Sequence, residues 1–323
     1  MQGKDGKREK RKEKIMGNKT KTYKIYCILE TLSPLTHMMG VSGNESLINR
    51  EPIVYKNRKV FVPVISGNSI RHRMLRHSGS MYLIKEMGIE GKLNLDQLDF
   101  MFYGGRLYET KTTTNLSKIA AMEEIFPLFR LLGGSLKNQI LAGSLDVWRG
   151  LLVCEENRET INKYLPEEYR IKNKLLPADL FVGNYQYTRG DVKSIRDVSS
   201  IAEDANFISE REKSNLMIYN GQQVNRNSLF FHGFSTKHIS EIEVGCLFHS
   251  LQLWSEDCGT IGGMSAKGHG KVIINCIIPD IDLNISDCVL AYINHVKNNK
   301  DKMIEWLNDN FSKKEVKGDI LNG

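Results

Sequence analysis

The sequence lacks any long apolar run. Nothing in it approaches the roughly 18 consecutive apolar residues of a membrane-spanning helix, so no membrane partner is expected. The opening stretch MQGKDGKREKRKEKIMGNKTK has no apolar core of the secretory kind, and a cytoplasmic location follows as the expectation. Cysteine is sparse and scattered at Cys27, Cys154, Cys246, Cys258, Cys276 and Cys288, with no CxxC pair. That excludes the usual zinc and redox cadences and leaves reduced cysteines that mainly pack. His232, His238, His249 and His295 show no ligand spacing either, so no metal and no other cofactor is expected. Net positive charge is also absent where it would count most. Residues 1–24 carry ten Lys or Arg against three acidic residues, which accounts for the whole formal charge of +7 and leaves the body with 35 cations and 35 acidic groups. A phosphate-binding surface on the body must therefore come from local clustering. The tail itself fits a disordered arm for polyanions and fits a solubility tail equally well.

What is present reads as a strand-rich frame with a long interruption. After a basic tail over 1–22, a first part over 23–87 holds a strand in YKIYCILETLSPLTHMM, where Ile25, Cys27 and Leu29 alternate with Tyr26, Ile28 and Glu30. It also holds a β-hairpin, Pro52–Tyr55 and Lys59–Val64 around a Lys56-Asn57-Arg58 turn. A basic helix follows in SGNSIRHRMLRHS, with Ser66, Asn68 or Ser69 as its N-cap and Gly79 as a weak point. An insertion over 88–184 contains the helical stretches DQLDFMFYGG and KIAAMEEIFPLFRLLGG and a strand in LAGSLDVWRGLLVCEE bulged at Gly150. Residues 185–223, charged and serine-rich over most of their length, read as a mobile protrusion. Over 224–290 regularity returns: the strand SLFFHGFS, then a helix opened by the capping box Ser240-x-x-Glu243, then CGTIGGMSAKGHGKV and the strand KVIINCIIP. Residues 291–323 complete the chain as a helix and tail. The order strand, helix, glycine loop, strand at the end, with its other half at the start, predicts an α+β fold with a split ferredoxin-like core.

Two stretches could carry chemistry. At helical spacing, Ile70, Met74 and Leu75 make the apolar side of the basic helix, while His72, Arg73, Arg76 and His77 fall opposite and Arg71 sits in the first turn. A cation there opposes the helix dipole, which makes sense if an anion is shared between Arg71 and the free N–H groups. A surface helix with solvated arginines fits the same residues. In the glycine loop, Gly262, Gly263, Gly268 and Gly270 would let a phosphate chain approach the backbone while Lys267, His269 and Lys271 supply charge. It is not a P-loop, because His269 stands where the lysine should, and a strand follows where a dinucleotide fingerprint needs a helix. A plain helix-to-strand turn is the competing reading.

Taken together, VPVISGNSIRHRMLR and IGGMSAKGHGKV resemble the RAMP superfamily of RNA-binding Cas proteins, and within it the type IV backbone subunit that polymerises along the guide RNA of class 1 CRISPR effector complexes. The resemblance implies a ferredoxin-like (RRM-like) palm, finger-like insertions and a thumb hairpin containing Arg189, Asp191, Arg196 and Asp197. It implies guide contacts at Asn68, Ser69, Arg71, His72, Arg73 and Arg76, and at Gly262, Gly263, Lys267, Gly268, His269 and Lys271, with Arg189 and Arg196 at the paired guide and target. The family's S-x-[KR]-G-x-[LM]-R has a glycine where this chain has His72, a ring able to stack on a base. The implied partners are a CRISPR guide RNA, the target nucleic acid paired to it, further copies of the chain and other effector subunits. Relatives that cut RNA use an aspartate in the loop after the first strand. Here THMMGVSGNES offers only Asn44 and Glu45, which disfavours target cleavage. A metal-independent guide-processing endoribonuclease using His37 is the enzymatic alternative, and a solitary RNA-binding protein is the third reading.

Overall fold

In the computed structural model the described residues are 20–42, 45–106, 116–136, 139–189, 217–257, 259–279 and 281–311. The frame is set by β1 (Lys24–Thr31), whose Ile25, Cys27 and Leu29 are buried towards the helices. Tyr26 packs on the other face with Phe231 and Ile161, so the middle of the sheet is covered on both sides. β12 (Leu229–Thr236) pairs antiparallel with β1 from Lys24↔Ser235 to Glu30↔Leu229, and β13 (Val272–Ile277) flanks its other edge from Tyr26↔Ile277 to Thr31↔Val272. Outwards from β12 come β9 (Gly150–Leu152), β5 (Arg58–Ile65) and β4 (Arg50–Tyr55), giving the order β13-β1-β12-β9-β5-β4 with every neighbour antiparallel. The expected bulged strand around Gly150 is two pieces instead, since β8 (Leu145–Val147) also pairs with β12.

Helices cover one face of this sheet. Between β5 and β9 run α1 (Gly67–Ile70), a π-helix over Arg71–His77 and α2 (Ser78–Met87), followed by α3 (Leu95–Tyr103), α4 (Leu116–Ile125) and α5 (Pro127–Leu132). Gly79 is no break, because it lies against the Leu128 and Ser250 side chains inside the packing. Arg158–Tyr164 forms α6 on the opposite face. The last layer is α7 (Glu241–Asp257) and α8 (Ile285–Asn310). The capping box at the start of α7 is as the sequence predicts. Glu243 accepts from the Ser240 N–H at 2.8 Å, and the Ser240 hydroxyl accepts from the Glu243 N–H at 3.4 Å. Among the described residues no helix is long and apolar enough to cross a membrane.

A second sheet stands beside the first, in the order β10-β11-β3-β2: β10 (Val182–Arg189), β11 (Met217–Val224), β3 (Glu45–Ile48) and β2 (Met38–Ser42). The protrusion expected from residue 185 therefore starts as a regular strand, while Asp191, Arg196 and Asp197 lie outside the described residues. A two-stranded ribbon, β6 (Gly134–Leu136) with β7 (Gln139–Leu141), follows α5. The β4–β5 hairpin is tighter than its composition suggests. Lys56 and Asn57 alone make the turn, both at positive φ (47° and 60°), and Arg58 already pairs with Tyr55. The cysteine expectation fails at one pair: Cys27 and Cys276 face each other across β1 and β13 and form a disulfide. Cys154, Cys246 and Cys288 are free and buried.

Candidate nucleic-acid interface

Where the chain leaves β1, residues Pro34–His37 become the floor on which both basic stretches are built. Ser66 caps the helical run, its side chain accepting from the Ser69 N–H at 3.2 Å. The Ser66 N–H in turn donates to His37 Nε2 at 3.1 Å, and the His37 carbonyl accepts from the Asn49 N–H at 2.7 Å. Burial lowers the His37 pKa, so the ring is a neutral acceptor that fixes the helix start. The glycine loop closes on the same floor. Gly263 N–H donates to the Thr36 carbonyl and Gly270 N–H to that of Pro34, each at 2.8 Å. His269 Nδ1 lies 2.8 Å from the Thr36 hydroxyl.

This geometry explains two of the glycines differently from the phosphate-cradle reading. Gly262 sits at φ +83°, and a Cβ there would lie 2.7 Å from the Thr36 carbonyl oxygen. Gly270, at φ +81°, is crowded by the Ile261 carbonyl oxygen. Both serve backbone-to-backbone closure. Gly268 (φ +83°) has open space on its Cβ side and adjoins the exposed Lys267.

The π-helix decides which cations reach the surface. Its wider i→i+5 winding turns Leu75 and Arg76 to the same side as Ile70 and Met74, and all four are buried. Arg76 is consequently 4% exposed, donates to the Gly133 carbonyl at 2.7 Å and lies over the Phe129 ring. Burial, with Arg71 adding to it, lowers its pKa to about 9. It is an internal strut, contrary to its expected place on the exposed face. Arg71 is half-buried and opens into a cleft of about 460 Å³ with Ser66, Asn68, Asp146 and Arg149. Arg149 is paired with Glu51 and Asp146 with Lys237, whereas Arg71 has no carboxylate partner among the described residues. Arg73 donates across to Thr260 of the glycine loop at 3.4 Å, so the two basic stretches abut although 187 positions apart. His72 stacks on the exposed Tyr103 at 5.6 Å and 18°, and its pKa is lowered by burial first and by nearby cations second. Asn68 is exposed, Ser69 half-buried and Lys271 exposed. Arg189 ends β10 opposite Met217, and Arg196 lies outside the described residues.

Sequence reasoning missed the tyrosines beside the loop. Tyr187 stacks on Tyr219 at 5.1 Å and 11°, and Tyr185 stacks on Tyr187 at 6.2 Å and 12°. Lys267 Nζ lies 3.0 Å from the Tyr187 ring centroid, and the His269 ring meets Tyr185 edge-on at 5.4 Å. The alternation in NYQYT was the available signal; the polar protrusion reading hid it. Among the described residues no group of three or more His, Cys, Asp or Glu could hold a metal.

Fold and site thus define an α+β protein built on sheets that are antiparallel except where β11 pairs with β3, with a basic helix and a glycine loop meeting beside the β10–β11 pair. No protein-family model matches the chain, and no curated protein matches its sequence. In fold it is similar to a chain of a solved type IV-B CRISPR complex, with a TM-score of 0.55 over 81% of this chain and 93% of that one at 14% identity.

Proposed function

We propose that this protein is a non-catalytic backbone subunit of a type IV-like class 1 CRISPR effector complex. It binds the guide RNA along its phosphates, stacks with further copies and leaves target recognition to base pairing. The observation that carries this reading is the contact of the basic helix with the glycine loop through Arg73 and Thr260, with Lys267 exposed on that loop and Arg71 half-buried in a cleft and paired with no carboxylate among the described residues. A half-buried guanidinium costs solvation unless an anion completes it. Support for a ferredoxin-like palm comes from the order β13-β1-β12-β9, with α1 to α5, accompanied by the inserted strands β2 to β8, between β1 and β9, and with α7 between β12 and β13. The fold likeness to a chain of a type IV-B CRISPR complex supports the setting. His37, the candidate nuclease residue, spends its Nε2 on the Ser66 N–H, which favours a scaffold.

The test is binding of a labelled 20-nucleotide single-stranded RNA by the Arg71→Ala/Arg73→Ala protein. Affinity should fall on the order of 10- to 100-fold at 0.1 M salt. The slope of log affinity against log salt should flatten by about 1.4, two contacts at about 0.7 each for a single strand. The thermal midpoint should stay within a few degrees. Unchanged affinity and slope would remove both arginines from the interface. In size-exclusion chromatography the wild-type protein with longer RNA should elute as regularly spaced multiples, and a single one-to-one species would argue against stacking along a guide.

A further inference from the structure

We propose that Tyr187 is a stacking seat for an unpaired nucleobase and that Lys267 is its removable cover, leaving the ring for a phosphate when a strand arrives. This rests on the reading of the protein as a binder of single-stranded guide RNA. Three observations carry it. First, the Tyr187 ring lies within 12° of parallel to both Tyr185 and Tyr219 on one face of β10–β11, while Asn184, Gln186, Thr188 and Asn220 take the exposed alternate positions. Tyr185 lies over Gly221, where a Cβ would collide with its ring, so the row is packed as a unit. Second, the ammonium of Lys267 sits over the Tyr187 ring although Lys267 is exposed and pairs with no carboxylate among the described residues. Third, the loop holds the tyrosine row at a second point that does not involve Lys267: His269, bound to Thr36, meets Tyr185 edge-on.

These contacts define an exchange. A lone exposed ammonium over a ring is weakly held, and it gains more from a phosphate than from the ring. Base-on-aromatic stacking in turn exceeds an exposed cation–π contact, so both groups improve their partners when a strand docks. His269 keeps the hairpin against the loop during the exchange. Phosphate capture by the loop and base stacking by the hairpin then occur as one event, and they require no sequence preference because every base offers a π face.

The experiment compares a labelled oligouridylate with an abasic sugar–phosphate strand of equal length, using the full chain. For the wild type, the oligouridylate should bind 5- to 100-fold more tightly, on the order of one stacked base. Tyr187→Leu should abolish that ratio while leaving abasic binding unchanged, and Tyr187→Phe should restore it, which separates lost stacking from a disturbed hairpin. Lys267→Met should flatten the salt slope by about 0.7 and keep the ratio at or above the wild-type value, because the ring is uncovered. An equal loss on both strands for Tyr187→Leu, or a ratio that falls with Lys267→Met, overturns the stacking seat while leaving guide binding intact. If the wild type binds neither strand, the guide-binding reading fails and the seat fails with it.

Discussion

Gly245→Ala should cost about 3 kcal/mol or more and, in a chain of 323 residues, lower the thermal midpoint by about 4 to 5 °C or more. Gly245 lies buried in α7 where that helix crosses α8, and an added methyl would overlap the carbonyl of Cys288 and lie 3.0 Å from Cβ of Tyr292. The first of these is helical backbone and cannot rotate away. Relief would require α8 to move as a body, yet α8 buries Tyr292, Val296, Met303, Trp306 and Leu307 in the common core. The general preference of helices for alanine over glycine, worth about 1 kcal/mol, is too small to offset this. Gly79→Ala is the control. Its methyl would meet the ends of the Leu128 and Ser250 side chains, which can shift, so its cost should stay near 1 kcal/mol or below. Urea unfolding of both variants measures the difference, and equal midpoints would show that the α7–α8 crossing has slack.

How much of this could be read from the sequence depends on whether the partner of a residue is near or far along the chain. Local rules sufficed for the alternation in β1, the β4–β5 hairpin, the Ser240/Glu243 capping box and the strand after the glycine loop. Long-range facts escaped. Cys27 meets Cys276 only because β13 pairs with β1 in one particular register, 249 positions away. Gly262 needs its positive φ because Thr36 passes beneath it. The basic helix failed for a subtler reason. A 100° wheel puts Arg76 on the outer face, but the five-residue hydrogen-bond period turns it inward under Gly133 and Phe129. Of the basic residues named from the helix, Arg71 and Arg73 stay at the candidate surface and Arg76 leaves it.

Acid should destabilise the protein through His232, and His232→Leu should remove that part of its acid sensitivity. His232 stands on β12 opposite Cys27, fully buried, with its ring edge-on to Phe234 at 4.6 Å. Neither ring nitrogen makes a well-formed hydrogen bond, and the nearby backbone of Trp148 and Arg149 recovers only part of what burial removes. The result is a pKa lowered from 6.5 to about 3. The sign follows from linkage. Below pH 6.5 the unfolded chain takes up a proton that the folded one refuses, so stability falls as pH drops and continues to fall until the folded pKa near 3. Each pH unit inside that window costs about 1.4 kcal/mol. At pH 4.5 the Leu variant should therefore gain about 2 to 3 kcal/mol over the wild type relative to their difference at pH 7. Comparing the two proteins at each pH cancels the carboxylates and the other histidines, which they share. At pH 7 the variant should be no less stable, since it exchanges two unsatisfied buried nitrogens for apolar packing of similar size. Urea midpoints at pH 7, 5.5 and 4.5 give the answer. A wild-type to variant gap that stays constant with pH would mean that His232 is protonated as readily in the folded chain as in the unfolded one, and the acid sensitivity would then lie elsewhere.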